Sequence, residues 1–407
     1  MSKNDNTKAS NIKNDVKKKG NKKPNTDNKS TDNKSTNNKS KKENINITDK
    51  NNKSVLKWLG ALIVEVIILG LMLVAYSLYY VDSKIEKINK VEIDEKDLSI
   101  NEELDVTNQE NYKTVALFGV DARDVDNLGQ GTRSDSIMIA SINNETKEVK
   151  IVSIYRDTLL EVENGSGLTA KVNAAYSYGG PQLAIKTLNA NLDLQITDFV
   201  TVNFLGLTKA IDDLGGITVH IEENELPTLN LAITEQIAVT GIYSDGVFST
   251  GDVLLNGTQA TAYARIRSTD QGDITRTERQ RDVLSKVYAK AKSSDIATID
   301  NIIDDVFPQI ATSLAEDEIK ALAKEVFEYQ LGDTVGFPFA YTPITHETKG
   351  SIIVPADLSA NVSALHEFLF GETGYVPTGK VQSISSSIQN ETGVEAQPVT
   401  VAPQTFE

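Results

Sequence analysis

Arginine is scarce in this chain and concentrated in one stretch. The sequence contains eight arginines against 33 lysines, and five of the eight lie within residues 259–283. A guanidinium group binds phosphate or carboxylate oxygens in a two-pronged geometry that the lysine ammonium group cannot provide. The concentration therefore predicts either a phosphate-binding site or a set of internal ion pairs. The eight arginines are Arg123, Arg133, Arg156, Arg265, Arg267, Arg276, Arg279 and Arg281.

Helical periodicity predicts that Arg276, Arg279 and Arg281 do not all lie on the same side of their helix. At about 100° per residue, Arg276, Arg279 and Gln280 lie on the same side as Val283, which predicts that they face the domain interior. Arg281 points away from that side and is left out of the predicted site. A buried guanidinium is costly unless it is paired or faces a polar cavity. This side of the helix therefore carries either ligand-binding groups or the partners of internal carboxylates.

Four aspartates could be ligands of a cation or partners of the arginines. Asp121 ends the first predicted strand and Asp135 begins the second, so neighbouring strands would bring the two carboxylates together. Two carboxylates, completed by water and phosphate oxygens, are typical of a Mg²⁺ site. As internal ion pairs, the same two residues with Asp157 and Asp273 would neutralise the arginines, and both interpretations stay open. Zinc is disfavoured because the chain has no cysteine and its three histidines lie far apart.

The pattern around these residues predicts an α/β domain, with a central mixed β-sheet flanked by helices. Residues 113–121 have the composition of a buried strand, and residues 134–157 that of two strands joined by a turn. The domain core is expected over 113–290 and its completion over 291–380. A tail rich in Ser, Gln, Pro and Thr, residues 381–407, is predicted to be disordered. The main predicted helices are 181–194, 276–292 and two within 298–330.

The first 112 residues predict a membrane-anchored protein. Residues 1–57 carry 16 lysines, six acidic residues and scarcely any large apolar residue, which is typical of a disordered tail. Residues 58–80 form an apolar run that, as a helix of about 34 Å, would cross a bilayer core of about 30 Å. Residues 82–112 are polar and charged, as expected of a stalk. The lysine excess of the tail predicts a cytoplasmic N-terminus and an extracellular domain.

The charge of the folded part argues against nucleic acid as a partner. The whole chain has a net charge of −16 although its N-terminal tail is strongly basic, so the remainder is strongly acidic. Nucleic-acid-binding domains instead present a basic surface to the phosphate backbone.

Seven segments of the sequence together resemble the LytR–CpsA–Psr (LCP) family. They occur in the family's order over residues 113–290 and read LFGVDAR, TRSDSIMIASIN, VSIYRDT, KVNAAYSYGG, VNFLGLTKAIDDLGGITV, LNGTQATAYARIR and DITRTERQ. The resemblance implies a mixed sheet flanked by helices, with an apolar pocket for a polyprenyl chain. It implies an extracellular, membrane-anchored enzyme that moves a glycopolymer phosphate from an undecaprenyl-pyrophosphate-linked precursor onto peptidoglycan.

The resemblance also implies roles for individual residues. Asp121 and Asp135 would hold Mg²⁺, or Mn²⁺ in its place. Arg156, Arg267 and Asp273 would act in catalysis, with Asp273 as the candidate proton acceptor. The chain departs from the family pattern at Tyr155, where a proline is usual, and in segment 223–250, which matches no pattern. The residues expected to surround the pyrophosphate are Arg133, Arg156, Arg265, Arg267, Arg276 and Gln280.

Two other functions fit the same residues. One is a membrane-bound regulator that attenuates the expression of envelope genes, and the other is a phosphatase that releases polyprenyl phosphate to water. Transfer of the polymer to peptidoglycan is the property that separates the expected enzyme from both.

Overall fold

The structure is a computed structural model that describes residues 67–69, 72, 80–105, 107–121, 132–266 and 272–404. The predicted tail 1–57 lies outside the described residues, as does most of the predicted span 58–80. Among the described residues, no helix has both the length and the apolar character needed to cross a bilayer.

A seven-stranded mixed sheet forms the centre of the domain, as the sequence predicts, with the strand order β1-β10-β7-β2-β3-β4-β11. Strands β2 and β7 run parallel to each other, as do β4 and β11, whereas β3 runs antiparallel to both of its neighbours. Its strands are β1 (Asn89–Lys90), β2 (Tyr112–Val120), β3 (Ser134–Asn143), β4 (Glu148–Ile154), β7 (Asp198–Asn203), β10 (Ile310–Thr312) and β11 (Gln330–Phe337).

In the described residues, three two-stranded ribbons accompany the sheet. They pair β5 (Leu159–Glu161) with β6 (Thr169–Lys171), β8 (Ile217–Ile221) with β9 (Gly251–Leu255), and β12 (Tyr341–His346) with β13 (Gly350–Pro355). The helices are α1 (Asn173–Leu192), α2 (Phe204–Asp213), α3 (Leu226–Thr240), α4 (Gly257–Tyr263), α5 (Asp273–Lys292), α6 (Ile296–Val306), α7 (Glu316–Lys324), α8 (Leu358–Phe370) and α9 (Gly379–Thr392).

The two faces of the sheet are covered differently because strand side chains alternate between them. On β2, Ala116, Phe118 and Val120 are buried against α1, α8 and α9 in the larger hydrophobic core. Leu117 and Gly119 face the other way, toward α2, α4 and α5. A second hydrophobic core lies among those helices, α3 and the β8–β9 ribbon.

Three predicted segments differ from the structure. Residues 82–112 do not form a separate stalk, because Ile85, Ile88 and Leu98 are buried and β1 joins the edge of the sheet. The two helices expected within 298–330 are present but are separated by the strand β10, which pairs with β7. The predicted disordered tail 381–407 is helical through Thr392, since α9 buries three apolar residues against the larger core.

Candidate active site

Three of the predicted site residues lie at one edge of the sheet, called here the site edge. Strands β2, β7, β4 and β11 all end there, and the antiparallel strand β3 begins there. Asp121 follows β2 directly, Arg156 follows β4 by two residues, and Asp135 lies at the start of β3. Strand direction therefore brings residues separated by up to 35 positions in the sequence to the same edge of the sheet.

A β-bulge sets the position of Asp135. Gly119 pairs with Ser136 and Val120 with Ser134, so Asp135 is an extra residue of β3 without an opposite residue on β2. In regular alternation, Asp135 would share the face of Ile137, which is buried in the larger core. A bulge redirects side chains locally. Here it allows the Asp135 carboxylate to reach Arg156 instead of the core.

Arg156 is the centre of the first charged cluster. Its Nη1 contacts Oδ1 of Asp135, and its Nε lies 3.4 Å from Oδ1 of Asp273 and 3.9 Å from Oδ1 of Asp157. Arg276 contacts the same Oδ1 of Asp273 from one turn along α5. The structure thus brings together four of the residues that the sequence assigned to catalysis, pyrophosphate binding or metal binding, namely Asp135, Arg156, Asp273 and Arg276.

Arg265 occupies a second position at the site edge. Its Nη2 lies 3.2 Å from Oδ2 of Asp121, and its Nη1 donates to Oε1 of Gln236 at 2.7 Å. The guanidinium carbon lies 4.5 Å from the centre of the Phe204 ring, within range of a cation–π interaction. Arg265 is placed there by α4, which it follows. A Cβ atom at Gly257 would lie 1.9 Å from the carbonyl oxygen of Thr208, so only glycine allows α4 to begin so close to α2.

An apolar cavity of about 350 Å³ lies between the sheet and helices α2, α4 and α5. Leu117, Met138 and Val200 line its sheet side, and Leu207 and Leu284 line its helix side. Arg265 and Gln280 also line the cavity, so one end of a hydrocarbon-lined space borders on a cation and an amide. The predicted apolar cavity beside the arginines is therefore present.

All three arginines of α5 are buried, and of these only Arg281 departs from the prediction. Arg279 is core-facing as expected, but it forms a two-pronged ion pair with Oε1 of Glu225 through Nε at 3.0 Å and Nη2 at 2.7 Å. Burial, with Glu225 close by, raises the pKa of the adjacent Tyr263 to about 12. Arg281 was expected to point outward, yet it is only 3% exposed, because β11 and Gln404 cover that side of α5. Burial lowers the pKa of Arg281.

Other predicted residues lie apart from these clusters. Arg133 is exposed, just before β3, and Gln280 is half-buried at the cavity. Arg123 and Arg267 lie outside the described residues. Tyr155, at the position where a proline was expected, is buried against Ile274 and Tyr341, and burial raises its pKa.

The sequence resembles known proteins over most of the described domain. A family model described as the LytR_cpsA_psr family matches residues 75–332. The chain belongs to this family.

Named relatives of the family agree with this result. The chain is 32% identical over 224 residues to the polyisoprenyl-teichoic acid–peptidoglycan teichoic acid transferase TagU of Enterococcus faecalis, which covers 54% of this chain and 67% of the relative. It is 31% identical over 286 residues to the TagU of Bacillus subtilis, covering 67% and 84%. A crystal structure from Streptococcus agalactiae matches with a TM-score of 0.54 and 26% identity, covering 67% of this chain and 93% of that one.

Helix α3 and the residue before it supply two arginine partners that family patterns did not reveal. Gln236 bonds to Arg265, and Glu225, directly before α3, binds Arg279. Both lie in segment 223–250, which the motifs of the family do not cover. The one signal available was the pattern of buried α3 residues, Leu229, Ala232, Ile233 and Gln236, in which a polar residue occupies a core position.

The two acids at the site edge satisfy the donor chemistry of a Mg²⁺ site only in part. Asp121 and Asp135 flank the paired strands β2 and β3, and carboxylate oxygens are the donors that Mg²⁺ prefers. Among the described residues, no group of three or more acidic or histidine side chains could hold an ion by itself. A cation held by these two carboxylates would take its other ligands from water and substrate phosphate oxygens.

Proposed function

We propose that this chain is a phosphotransferase that moves a glycopolymer phosphate from a polyprenyl-pyrophosphate carrier, undecaprenyl pyrophosphate, onto a hydroxyl group of peptidoglycan. The observation that carries the proposal is that the apolar cavity and the charged site edge meet at Arg265. Such a cavity suits a hydrocarbon chain, and adjacent guanidinium groups suit its phosphates. The transferase activity for which the two TagU relatives are named supports the same reaction.

The reaction breaks the phosphoanhydride bond of the donor and forms a phosphodiester bond to the acceptor. The acceptor hydroxyl oxygen forms a bond to the phosphorus that carries the glycopolymer, and the bond from that phosphorus to the bridging oxygen breaks. Polyprenyl monophosphate leaves, and the hydroxyl proton passes to a carboxylate, for which Asp273 is the candidate. Positioning and charge neutralisation dominate catalysis of such transfers.

The position of each residue indicates which of the two donor phosphates it would bind. Arg265 and Gln280 border the cavity and would hold the phosphate next to the lipid. Arg156 would hold the phosphate that carries the polymer, and the fully buried Arg276 would orient the Asp273 carboxylate that Arg156 also contacts. Arg133 and Arg267 complete this proposed set as predictions from the sequence.

Asp121 and Asp135 are the proposed holders of Mg²⁺, or of Mn²⁺ in its place. When bound there, the cation would supply further neutralisation of the pyrophosphate charge. The ion pairs of these acids with Arg265 and Arg156 would keep both carboxylates at the site edge.

We also propose that residues 58–80 anchor the chain in the cell membrane, with the N-terminal tail in the cytoplasm and the domain outside. The support is the apolar run in the sequence and the nature of the proposed lipid-linked donor and peptidoglycan acceptor. In intact cells, external protease should digest the domain and spare the tail 1–57. Digestion of the tail alone would reverse the orientation.

A transfer assay tests the proposed function directly. Purified full-length protein is incubated with a labelled polyprenyl-pyrophosphate-linked glycopolymer, peptidoglycan and Mg²⁺, and label is expected in peptidoglycan together with released polyprenyl monophosphate. Release of the label to water without transfer would identify a phosphatase. Failure to consume the lipid at all would favour the regulatory alternative.

The metal proposal has its own measurement. Asp121→Asn and Asp135→Asn should each raise the Mg²⁺ concentration needed for half-maximal transfer, because an amide is a poorer ligand for a hard cation. If the acids are only partners of the arginines, the variants should instead lose stability, with an unchanged dependence on Mg²⁺.

A further inference from the structure

A network of buried polar side chains holds the guanidinium group of Arg265. Its Nη1 donates to Oε1 of Gln236 on α3 at 2.7 Å, and Nε2 of Gln236 donates to Oγ1 of Thr208 on α2 at 3.3 Å. The hydroxyl of Thr261, on α4, lies 3.1 Å from the same Oγ1. Gln236, Thr208 and Thr261 are fully buried. Three helices therefore contribute to the placement of one guanidinium group.

The hydrogen bonds of the network fix which way the Gln236 amide faces. The Thr208 hydroxyl donates its one hydrogen to the carbonyl oxygen of Phe204 at 2.8 Å, so toward its other neighbours it can only accept. The NH₂ group of Gln236 therefore faces Thr208, and the amide oxygen faces Arg265. The opposite orientation would set the NH₂ group against a guanidinium group, donor against donor.

The position of Arg265 distinguishes it from Arg156 and Arg276. Arg265 lines the apolar cavity, whereas the other two cluster around Asp273. A polyprenyl chain lying in the cavity would bring its own phosphate to Arg265 first. The phosphate that carries the polymer would then lie toward Arg156 and Arg276.

Resting on the proposed function, we propose that Gln236 is a positioning residue that holds Arg265 at the lipid-bearing phosphate of the pyrophosphate. That phosphate is the leaving group, and it gains negative charge as the bridging bond breaks. A guanidinium group held at that point stabilises the transition state more than the ground state. Loss of the Gln236 contact should therefore lower kcat more than it raises KM.

The first experiment compares two variants of α3 in full-length protein. Gln236→Met removes the acceptor for Arg265 while keeping a side chain of similar size, and it should lower kcat about tenfold or more, as expected for a hydrogen bond to a charged group. Asn230→Leu is the control, because its side chain bonds only to the backbone of Leu226 and Val247. Asn230→Leu should disturb the packing of α3 and lower the melting temperature of the protein, while kcat stays within about twofold of the wild type.

A double-mutant cycle separates positioning from general support of the fold. If Gln236 acts through Arg265, then Gln236→Met should have no further effect on kcat in an Arg265→Met background. Additive effects, or a loss of kcat in Asn230→Leu equal to that in Gln236→Met, would overturn the inference and leave the proposed function intact. A wild-type protein that fails to bind farnesyl pyrophosphate and to transfer polymer would overturn the proposed function and the inference with it.

Discussion

At the scale of single residues, the same arginine–aspartate contacts can serve structure and chemistry together. Arg156 contacts three carboxylates, from Asp135, Asp157 and Asp273, and its side chain is about one-sixth exposed at the site edge. Arg279 makes an equally close pair with Glu225, but both side chains are more than nine-tenths buried. Exposure to an approaching ligand, more than the number of contacts, separates the two roles.

Replacement of Arg156 by lysine tests the functional role. Arg156→Lys keeps the charge but removes the fork that can bind two oxygens at once, so the transfer rate should fall at least about tenfold with the melting temperature near that of the wild type. Lys171→Gln is the matched control, since Lys171 lies 3.1 Å from Asp157 in the same cluster. A control that loses as much rate as Arg156→Lys would mean that any disturbance of this cluster lowers the rate, and that loss of the fork is not the cause.

Two of the three buried arginines of α5, Arg279 and Arg281, should respond in opposite ways to replacement by methionine. Arg279→Met leaves the Glu225 carboxylate buried without its partner and should cost about 3–5 kcal/mol of unfolding free energy. Arg281 forms no ion pair with the described carboxylates, and its Nη1 is buried without a described partner. Arg281→Met should therefore be neutral or stabilising in chemical denaturation. Equal destabilisation of both variants would show that Arg281 has a charged partner.

At the scale of secondary-structure elements, local irregularities place the functional groups. The bulge in β3 directs Asp135 to the site edge, and Asn203 caps α2 by accepting a hydrogen bond from the Gly206 amide at 2.9 Å. On the opposite face of the sheet, α8 carries His366, whose Nε2 lies 3.0 Å from the carbonyl oxygen of Leu192 at the end of α1. His366 is therefore a structural residue, fully buried between α8 and the end of α1.

The buried His366 makes the helix layer of that face sensitive to pH. Burial lowers the pKa of His366 below its ordinary value of 6.5, although Asp193 and Glu372 oppose the shift. Below about pH 6.5 the unfolded chain then binds more protons than the folded chain. The free energy of unfolding therefore falls as the pH decreases below about 6.5, and the full contribution of the neutral His366 is present above that pH.

Melting temperatures between pH 5 and pH 7.5 measure this effect. His366→Gln, which is neutral at every pH, should show a flatter profile than the wild type, by at most about 1.4 kcal/mol per pH unit for one proton. His220→Gln is the control, because His220 lies on the exposed side of the β8–β9 ribbon. A wild-type profile parallel to that of His366→Gln would contradict the prediction.

At the scale of the whole molecule, the two faces of one sheet have different tasks. One face is packed against α1, α8 and α9 and stabilises the domain. The other leaves a cavity of about 350 Å³, although closing such a space with side chains would add stability. A cavity kept open beside a cationic edge indicates a binding site more than a packing defect.

Filling the cavity should separate lipid binding from phosphate binding. Val200 lies in the middle of β7, three residues or about 10 Å before the site edge, and faces the cavity. Val200→Trp should lower the affinity for farnesyl pyrophosphate at least about tenfold, because the indole would occupy space that the prenyl chain needs. Its affinity for inorganic pyrophosphate should be unchanged.

The outcome that would contradict this prediction is equal binding of farnesyl pyrophosphate by Val200→Trp and the wild type. Val381→Trp offers a comparison, because Val381 is fully buried on the packed face of the sheet. That variant should lose stability through overpacking. Val200→Trp should keep the melting temperature of the wild type.

The sequence by itself determined the mixed sheet, the hairpin of β3 and β4, and the aspartates and arginines of the site edge. These follow from short-range signals, namely strand alternation, turn residues and the order of the family's motifs.

Tertiary structure decided the rest. Helical periodicity placed Arg281 outside because it describes one helix alone, and only the packing of β11 and Gln404 on α5 buries that side. The bulge at Asp135 depends on the register of two strands. The contacts of Gln236 and Glu225 join α3 to residues at least 28 positions away. No local pattern carries information at that separation, because such contacts depend on how whole elements pack.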